Sequence, residues 1–357
     1  MPIHELTKPL ILESGDTLKD PRIEYSIAGE IKNKGKNVII ACHTLTGGID
    51  VVESKLWTFI GHGELIDPRE HCIIALGTLG GANKSSGPCT TDPGGDQYGK
   101  NFPTVTITDS IKAHGEVLNA LGIQEAKAVI GGCYGGFSAY TWLAMRPEFF
   151  KLAIIFQSSI YCSAHTIAMF SVFRDLITSS QKWNHGNYKS EDLSTFHEYC
   201  QMFAVTKLFQ MSHDKFEDKF PIEQRRINRN NSTPYWESHS SIDEFVIRAP
   251  KDIATMDPNT LMSVMRSEAL FDLEASFPDL WNKWKKLKTK VVHLPCVEDW
   301  RYPTSTMQKI HRKMKKVGIK SYYRPTSSPY GHGSFLFDRK SLERELPLMR
   351  KLLRKCK

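Results

Sequence analysis

Four short runs of β-branched and small apolar residues constrain this chain most. They are KNVIIACH (Lys36–His43), HCIIALG (His71–Gly77), AKAVIGGC (Ala126–Cys133) and FKLAIIFQSS (Phe150–Ser159). A strand with one wet face alternates polar and apolar residues, whereas a nearly continuous apolar run suits a parallel strand covered on both faces. Helical patterns lie between them. TDSIKAHGEVLNALG (Thr108–Gly122) sets Ile111, Val117, Leu118 and Leu121 near one face and ends on glycine, and Tyr134–Arg146 reads as a second helix. Strands alternating with helices predict the α/β class, with a mostly parallel, doubly wound sheet. Upstream, PLILES and RIEYSIAGE flank GDTLKDP, which reads as an antiparallel hairpin at the sheet edge.

After about Tyr161 the chain becomes rich in Met, Phe, Gln, His and Ser, with helical spacing and no strong strand. DPNTLMSVMRSEALF (Asp257–Phe271) predicts a capped helix with Leu261, Met265 and Leu270 inward. Strand character returns at TKVVHLPCVED (Thr289–Asp299), followed by a basic helix at TMQKIHRKMKKVG and then KSYYRPTSSPYGHGSF. The expected organisation is one α/β core made of residues 1–160 and 288–357, interrupted by a helical lid over 161–287.

Between the third buried run and its helix the sequence reads AVIGGCYGGF (Ala128–Phe137). Cys133 sits inside G-x-C-x-G, the nucleophile-elbow pattern with cysteine where serine is commoner. Such a turn lifts the side chain clear of the sheet. The helix that follows turns its N-terminal amides and positive potential toward it, which favours a thiolate and a developing oxyanion. A buried structural cysteine beside a glycine turn is the plainer alternative. An elbow nucleophile needs a base and an orienting acid, and on this kind of fold they follow in the order nucleophile, acid, histidine. Asp299 in VEDWRYP comes after one strand and His332 in SPYGHGSF after the next, at the sheet edge where open α/β sheets carry functional groups. Glu298 is the alternative acid. His165, His185 and His197 fall in the helical insertion and read as surface or lid residues.

Net charge is +8, from 47 basic and 39 acidic residues. The basic runs (Lys283–Lys290, Arg312–Lys316 and the terminal RKLLRKCK) read mainly as solvated helix faces. An anionic partner such as a nucleotide-bearing co-substrate is the other reading. No nucleic-acid-binding or zinc-finger pattern accompanies them. The eight cysteines are scattered and none forms C-x-x-C, so no metal and no dithiol chemistry is expected. The N-terminus lacks a signal-peptide pattern and no apolar stretch is long enough to span a bilayer. A cytoplasmic location away from membranes is expected, with free thiols.

Several of these segments together resemble the homoserine O-acetyltransferase family. They are CHTLTGG (Cys42–Gly48), the long LGTLGGANKSSGPCTTDPGGDQYGKNFPTVTITD loop ending in G-x-x-F-P-x-x-T-I-x-D, GGCYGG, WNHGNY (Trp183–Tyr188), MDPNTL, EDWRYP and YGHGSFL. The resemblance runs from about Pro9 to the C-terminus and is weakest between Lys189 and Ser240. It implies an α/β-hydrolase fold with a helical lid, a covalent acyl-enzyme and acyl-CoA as co-substrate, with no permanently bound cofactor. It also implies the Leu45 and Tyr134 amides as an oxyanion hole and leaves room for a homodimer through the lid. Thr46, Trp183, Tyr188 and Phe203 are the expected substrate contacts.

The departure is Cys133, where the family has serine. A thiolate attacks a thioester readily and gives another thioester, still reactive toward amines, thiols and activated hydroxyls. The expected function is therefore cysteine-dependent acyl transfer between a small-molecule donor and acceptor. Hydrolase, thioesterase or cyclase chemistry on the same Cys–His–Asp set is the alternative, and a non-catalytic binding protein is a third. The resemblance also implies an arginine on a lid helix that clamps the homoserine carboxylate. Between Lys189 and Ser212 this chain has no arginine, and it has Phe196, Tyr199, Phe203 and Phe209. The expected acceptor is thus larger and less polar than homoserine, unless Arg174 or Arg266 supplies the clamp.

Overall fold

The computed structural model describes residues 1–54, 57–82, 84–189, 197–221 and 256–356. Among the described residues, ten strands form two sheets: β1 (Ile3–Glu5), β2 (Leu10–Ile11), β3 (Thr17–Leu18), β4 (Arg22–Ala28), β5 (Val38–Cys42), β6 (Cys72–Leu76), β7 (Ala126–Gly132), β8 (Phe150–Phe156), β9 (Lys290–Leu294) and β10 (Ser321–Tyr323). The main sheet runs β1-β4-β6-β5-β7-β8-β9-β10. It is parallel from β6 to β10, with β4 antiparallel to β6 and β1 antiparallel to β4. Every residue of β5 and β6 is buried, which is why those runs carry no alternation. The fold is the α/β-hydrolase fold expected above.

The edge hairpin is a correction. The segments PLILES and RIEYSIAGE do not pair with each other. Leu10–Ile11 pairs with Thr17–Leu18 in a small separate sheet, while Arg22–Ala28 joins the main sheet between β1 and β6. The GDT turn closes the nearer pair first, at lower loop cost.

Helix α1 (Ile107–Ala120) opens on a capping box, Thr106 accepting from the Asp109 amide and Asp109 from the Thr106 amide. The T-I-x-D end of the long loop is that cap, and Asp109 also accepts from the Glu13 amide at 3.0 Å. Helix α2 (Tyr134–Met145) has no amphipathic stripe because its residues from Tyr134 to Ala144 are all buried.

The helices after β8 include α3 (Ala164–Ser179), α4 (His197–Gln210), α5 (His213–Lys219) and α6 (Pro258–Ala269). Met169, Phe170 and Phe173 of α3, Tyr199 and Met202 of α4, and Leu261, Val264 and Met265 of α6 form a cluster of their own over the sheet edge. From Phe271 the chain packs into the sheet's cluster; Trp284 is fully buried and its Nε1 donates to the Leu143 carbonyl at 3.2 Å. Within the expected 161–287 lid, the separate helical cluster therefore ends near Met265. Helix α6 is capped by Asp257 as expected, but Leu270 is exposed, since the helix stops at Ala269 and the inward stripe passes through Glu268 instead. Among the described residues, no helix is long and apolar enough to cross a membrane.

Candidate active site

Cys133 occupies the turn between β7 and α2 with φ 54° and ψ −125°. A non-glycine residue there costs about 1–3 kcal/mol and persists only where the surroundings hold it. Here four hydrogen bonds do so: its amide donates to the Phe156 carbonyl at 3.2 Å, and its carbonyl accepts from the Gly136 amide and the Ser158 hydroxyl, both at 2.9 Å, and from the Phe137 amide at 3.4 Å. The flanking glycines serve close approach, for the positive φ is on the cysteine itself. A Cβ on Gly131 would lie 2.0 Å from the Gly135 carbonyl oxygen, and one on Gly135 would lie 2.0 Å from that of Cys42. Only bare backbone lets α2 sit this tightly on β5 and β7.

The loops after β9 and β10 bring the other two candidates to the same edge. Asp299 Oδ2 accepts from His332 Nδ1 at 2.9 Å, and Asp299 Oδ1 accepts from the Arg301 and Tyr302 amides at 2.9 and 3.0 Å. The carboxylate is thus fixed by its own turn and aimed at the ring. Glu298 points elsewhere, accepting from the Ser328 amide at 2.8 Å and from the Ser327 hydroxyl. The His332 loop is tied back to β8 by the Gln157 side-chain amide, which donates to the Gly331 carbonyl at 2.6 Å. His332 Nε2 is buried without a full hydrogen bond, and the Cys133 sulfur acts on it across the remaining gap. Burial works against a charged ring, but the Asp299 carboxylate and Cys133 outweigh it and push His332 up to about 10.

A second ion pair reaches the same sulfur. Arg301 Nη1 lies 3.6 Å from Cys133 Sγ, while its Nη2 donates to Glu268 Oε1 at 2.6 Å. Glu268 is completely buried on α6, and its Oε1 also accepts from the Tyr302 hydroxyl at 2.5 Å. The guanidinium lies 5.4 Å from the ring centres of both Phe170 and Tyr302. Burial opposes its charge, yet Glu268 first and then its other anionic neighbours hold Arg301 firmly protonated. Bringing such a pair out of water costs several kcal/mol per ion before attraction returns any of it.

The Leu45 and Tyr134 amides have no protein acceptor among the described residues, which leaves both free for a ligand oxygen. Leu45 and Thr46 line a cavity of about 180 Å³ that contains Cys133, Arg301 and His332 and is roofed by Phe170, Met202 and Met265. A larger open depression of about 820 Å³ between Arg146 and Lys283 contains none of these and lies at the other end of the strands.

The remaining expected contacts fall differently. Trp183 and Tyr188 do not line this cavity. Trp183 packs on the helical cluster, and the Tyr188 hydroxyl donates to Asp257 and accepts from the Asn259 amide at 3.0 Å, docking WNHGNY onto the start of α6. Phe203 is on α4, but its side chain lies outside the described residues, as do those of Phe196 and Phe209. Arg174 is exposed and pairs with Asp175, and Arg266 is exposed on α6, so neither reaches the cavity. His165 and His185 are exposed, and the side chain of His197 lies outside the described residues. Sequence reading missed Arg301 and Glu268. The available signal was an acid on the apolar stripe of α6, at Leu261, Met265 and Glu268.

The family model described as alpha/beta hydrolase fold matches residues 37–293. A homoserine O-acetyltransferase of Zymomonas mobilis is 30% identical over 94% of this chain and 92% of that protein. One of Methanocorpusculum labreanum is 31% identical over 95% of this chain and 70% of that protein. The crystal structure of homoserine O-acetyltransferase from Bacillus anthracis has a TM-score of 0.87 at 21% identity, covering 99% of this chain and 97% of that one. That of esterase E22 has a TM-score of 0.86 at 22% identity and covers 99% of each chain, and both likenesses speak to the fold. Fold and relatives agree: the chain belongs to the homoserine O-acetyltransferase family of α/β-hydrolase-fold enzymes, and its chemistry is acyl transfer or hydrolysis.

Proposed function

We propose that this protein is a cysteine-dependent acyltransferase. Cys133 takes an acyl group from acyl-CoA or another thioester and passes it to a small hydroxyl or amine acceptor of low charge, rather than to homoserine. The observation that carries the reading is Cys133 on a strained elbow, facing a histidine that a buried aspartate orients. The thiol proton passes to His332 Nε2, and the sulfur attacks the thioester carbonyl. The oxyanion is held by the Leu45 and Tyr134 amides. The C–S bond to the donor breaks, and the departing thiolate takes the proton from His332. The neutral ring then accepts the acceptor's proton, the acceptor attacks the acyl-cysteine, and Cys133 leaves as a thiolate.

Two features support an acceptor of low charge. The cavity of about 180 Å³ is lined mainly by Met, Phe and Leu, below the ~300–1,000 Å³ usual for larger ligands. A short acyl group and a small acceptor of low polarity suit it, in place of the larger acceptor expected from the lid sequence. Arg301, the one arginine among its described lining residues, is already committed to Glu268 and to the sulfur. When the acceptor arrives, Cys133 is acylated and His332 neutral, so Glu268 and Asp299 face one cation, Arg301, and a further carboxylate meets a net negative site.

Mass spectrometry after mixing with acetyl-CoA tests the acyl-enzyme. The expected result is an acetyl adduct on Cys133 that decays with added acceptor and persists in buffer. An adduct that decays at once in water makes the protein a hydrolase, and no adduct with any thioester removes the reading. CoA release with homoserine, serine and a panel of small alcohols and amines tests the acceptor. Saturable acetylation of homoserine with kcat/KM far above the panel would return it to homoserine.

A further inference from the structure

We propose that Arg301, held in place by Glu268, is the permanent cationic partner of the Cys133 thiolate, so that the nucleophile is ionised before substrate arrives. The inference rests on the reading of Cys133 as nucleophile and adds a second charged group at the reacting atom. His332 and Asp299 alone suffice to move a proton; they do not call for a buried arginine and glutamate beside them.

The geometry fits an electrostatic task better than a packing task. Arg301 spends one edge on Glu268 and turns Nη1 to the sulfur at 3.6 Å. Its Nε and Glu268 Oε2 are both buried without partners, so the pair is not optimised for its own stability. A buried ion pair of this kind is often replaceable by apolar residues without loss of stability, which leaves its presence to be explained by what it does. The guanidinium cannot swing out to meet an incoming carboxylate. Glu268 anchors one end, Phe170 and Tyr302 flank it, and its own amide is bound to Asp299. It is a fixed charge rather than a mobile clamp.

The remaining ionisable groups acting on the sulfur's surroundings are His332, Asp299, Glu268, Tyr302 and Cys162. Only His332 and Arg301 can be cations, and His332 must surrender its proton to the departing thiol in each cycle. As the acceptor arrives the ring is neutral and Arg301 is the cation at the acyl-cysteine; when Cys133 is expelled, Arg301 shares the balance of its charge with the newly protonated His332. In that step the acceptor's oxygen or nitrogen bonds to the acyl carbon, the carbon–Sγ bond breaks, its electron pair stays on Sγ, and the acceptor's proton ends on His332. A fixed guanidinium lowers the cost of this expulsion as it lowers that of forming the nucleophile. Serine in the same place stays a neutral hydroxyl and gains far less, which links the cysteine and the arginine as one device.

The test is the pH profile of Cys133 alkylation by iodoacetamide, read by peptide mass spectrometry, with thiolate absorbance at 240 nm as a second measure. The two paired variants are Glu268→Met with Arg301→Met, and Glu268→Gln with Arg301→Gln. Each removes both charges together, and either suffices if the other does not fold. The expected result is an alkylation rate at pH 6 reduced about tenfold or more, with the midpoint moved up by at least one unit and thermal stability unchanged or higher. Arg301→Lys should recover part of the rate. Profiles that superimpose on the wild type in a folded paired variant would overturn the proposal. Acylation of Cys133 is measured separately. A charge-dependent thiolate that never accepts an acyl group would sink the acyltransferase reading alone, and acylation with an unmoved pH profile would sink this proposal alone.

Discussion

The strand-end rim and the helical cover meet at one sulfur but are built by different means. On the rim, Cys133, Asp299 and His332 each stand at the end of a strand or in the loop that follows it; backbone groups hold Cys133 and Asp299, and Asp299 with the Gln157-tied loop holds His332. The cover touches the site through side chains only: Phe170 and Met265 over the cavity, Glu268 on the arginine. A rim residue is positioned by the sheet whatever lies above it. A cover residue is positioned by packing between helices far apart in sequence. In the proposed mechanism the rim supplies the nucleophile, the base and the orienting acid, and the cover supplies the cavity roof and the anchor for Arg301.

Removing the rim's proposed nucleophile and base gives the largest expected contrast. Cys133→Ala and His332→Ala should each abolish acyl transfer, by about 10⁴–10⁶-fold, because such residues act as a unit. Circular dichroism should stay near wild type for both, and melting near wild type for Cys133→Ala, since both side chains project into the cavity. Met265→Ala, in the cover, should change turnover far less. Near wild-type turnover by Cys133→Ala would end the mechanism.

The two neighbouring acids sharpen the contrast within the rim. Asp299→Asn should lower kcat by about 10⁴-fold, through the wrong ring tautomer. Glu298→Gln should leave the chemistry in place and cost about 1 kcal/mol of stability, as a side chain that holds the Ser327–Ser328 turn. Steady-state kinetics and thermal melts on the pair decide it. A larger activity loss for Glu298→Gln would move the orienting acid by one residue.

Stability should separate the regions too. Gly135→Ala places a Cβ against the Cys42 carbonyl, an approach that backbone cannot relieve, so the loss should exceed the ~1–3 kcal/mol of ordinary overpacking and is expected to prevent folding. Met265→Ala should cost about 2–4 kcal/mol and loosen the smaller cluster. Hydrogen exchange should show α3 and α6 opening while β5 to β8 stay protected. Equal loosening of both clusters would mean the cover is not a separate unit.

The same difference explains what the sequence disclosed. Unbroken apolar runs, the glycine elbow and an acid and a histidine after successive strands are local patterns, and the central strands, Cys133, Asp299 and His332 stand where those patterns put them. The edge hairpin failed because two pairings were open to PLILES and the shorter loop won. Trp183 and Tyr188 carry family-like spacing, but their task is to dock one turn on α6, a contact between segments about seventy residues apart. Arg301 lies two residues past Asp299 in the same motif. Its meaning depends on Glu268 from another helix, and no local pattern links the two.

The subtlest expected signature, a trend with pH, sets the rim against the inside of the sheet, through two buried histidines of opposite sign. His332 is pushed up to about 10, burial being outweighed by Asp299 and Cys133. On β9, His293 is pushed down to about 3 by burial and then by His311, and its Nδ1 meets the Tyr140 hydroxyl at 2.9 Å. In the unfolded chain both titrate near 6.5. A raised pKa means that the folded state holds the proton more tightly. The His332 contribution is therefore complete below about pH 6.5 and disappears as the pH climbs toward 10. A lowered pKa means that the unfolded state takes the proton first. The His293 site thus costs nothing at neutral pH and destabilises progressively as the pH falls from about 6.5 toward 3. Melting curves of the wild type, His332→Gln and His293→Gln across this range should show it in trends rather than offsets. The gap between wild type and His332→Gln should narrow as pH rises. The gap between wild type and His293→Gln should narrow as pH falls, because the wild type alone carries the acid penalty. Parallel curves for His332→Gln would mean that its ring is not held protonated beside Asp299, and the proton that starts the reaction would have to come from elsewhere.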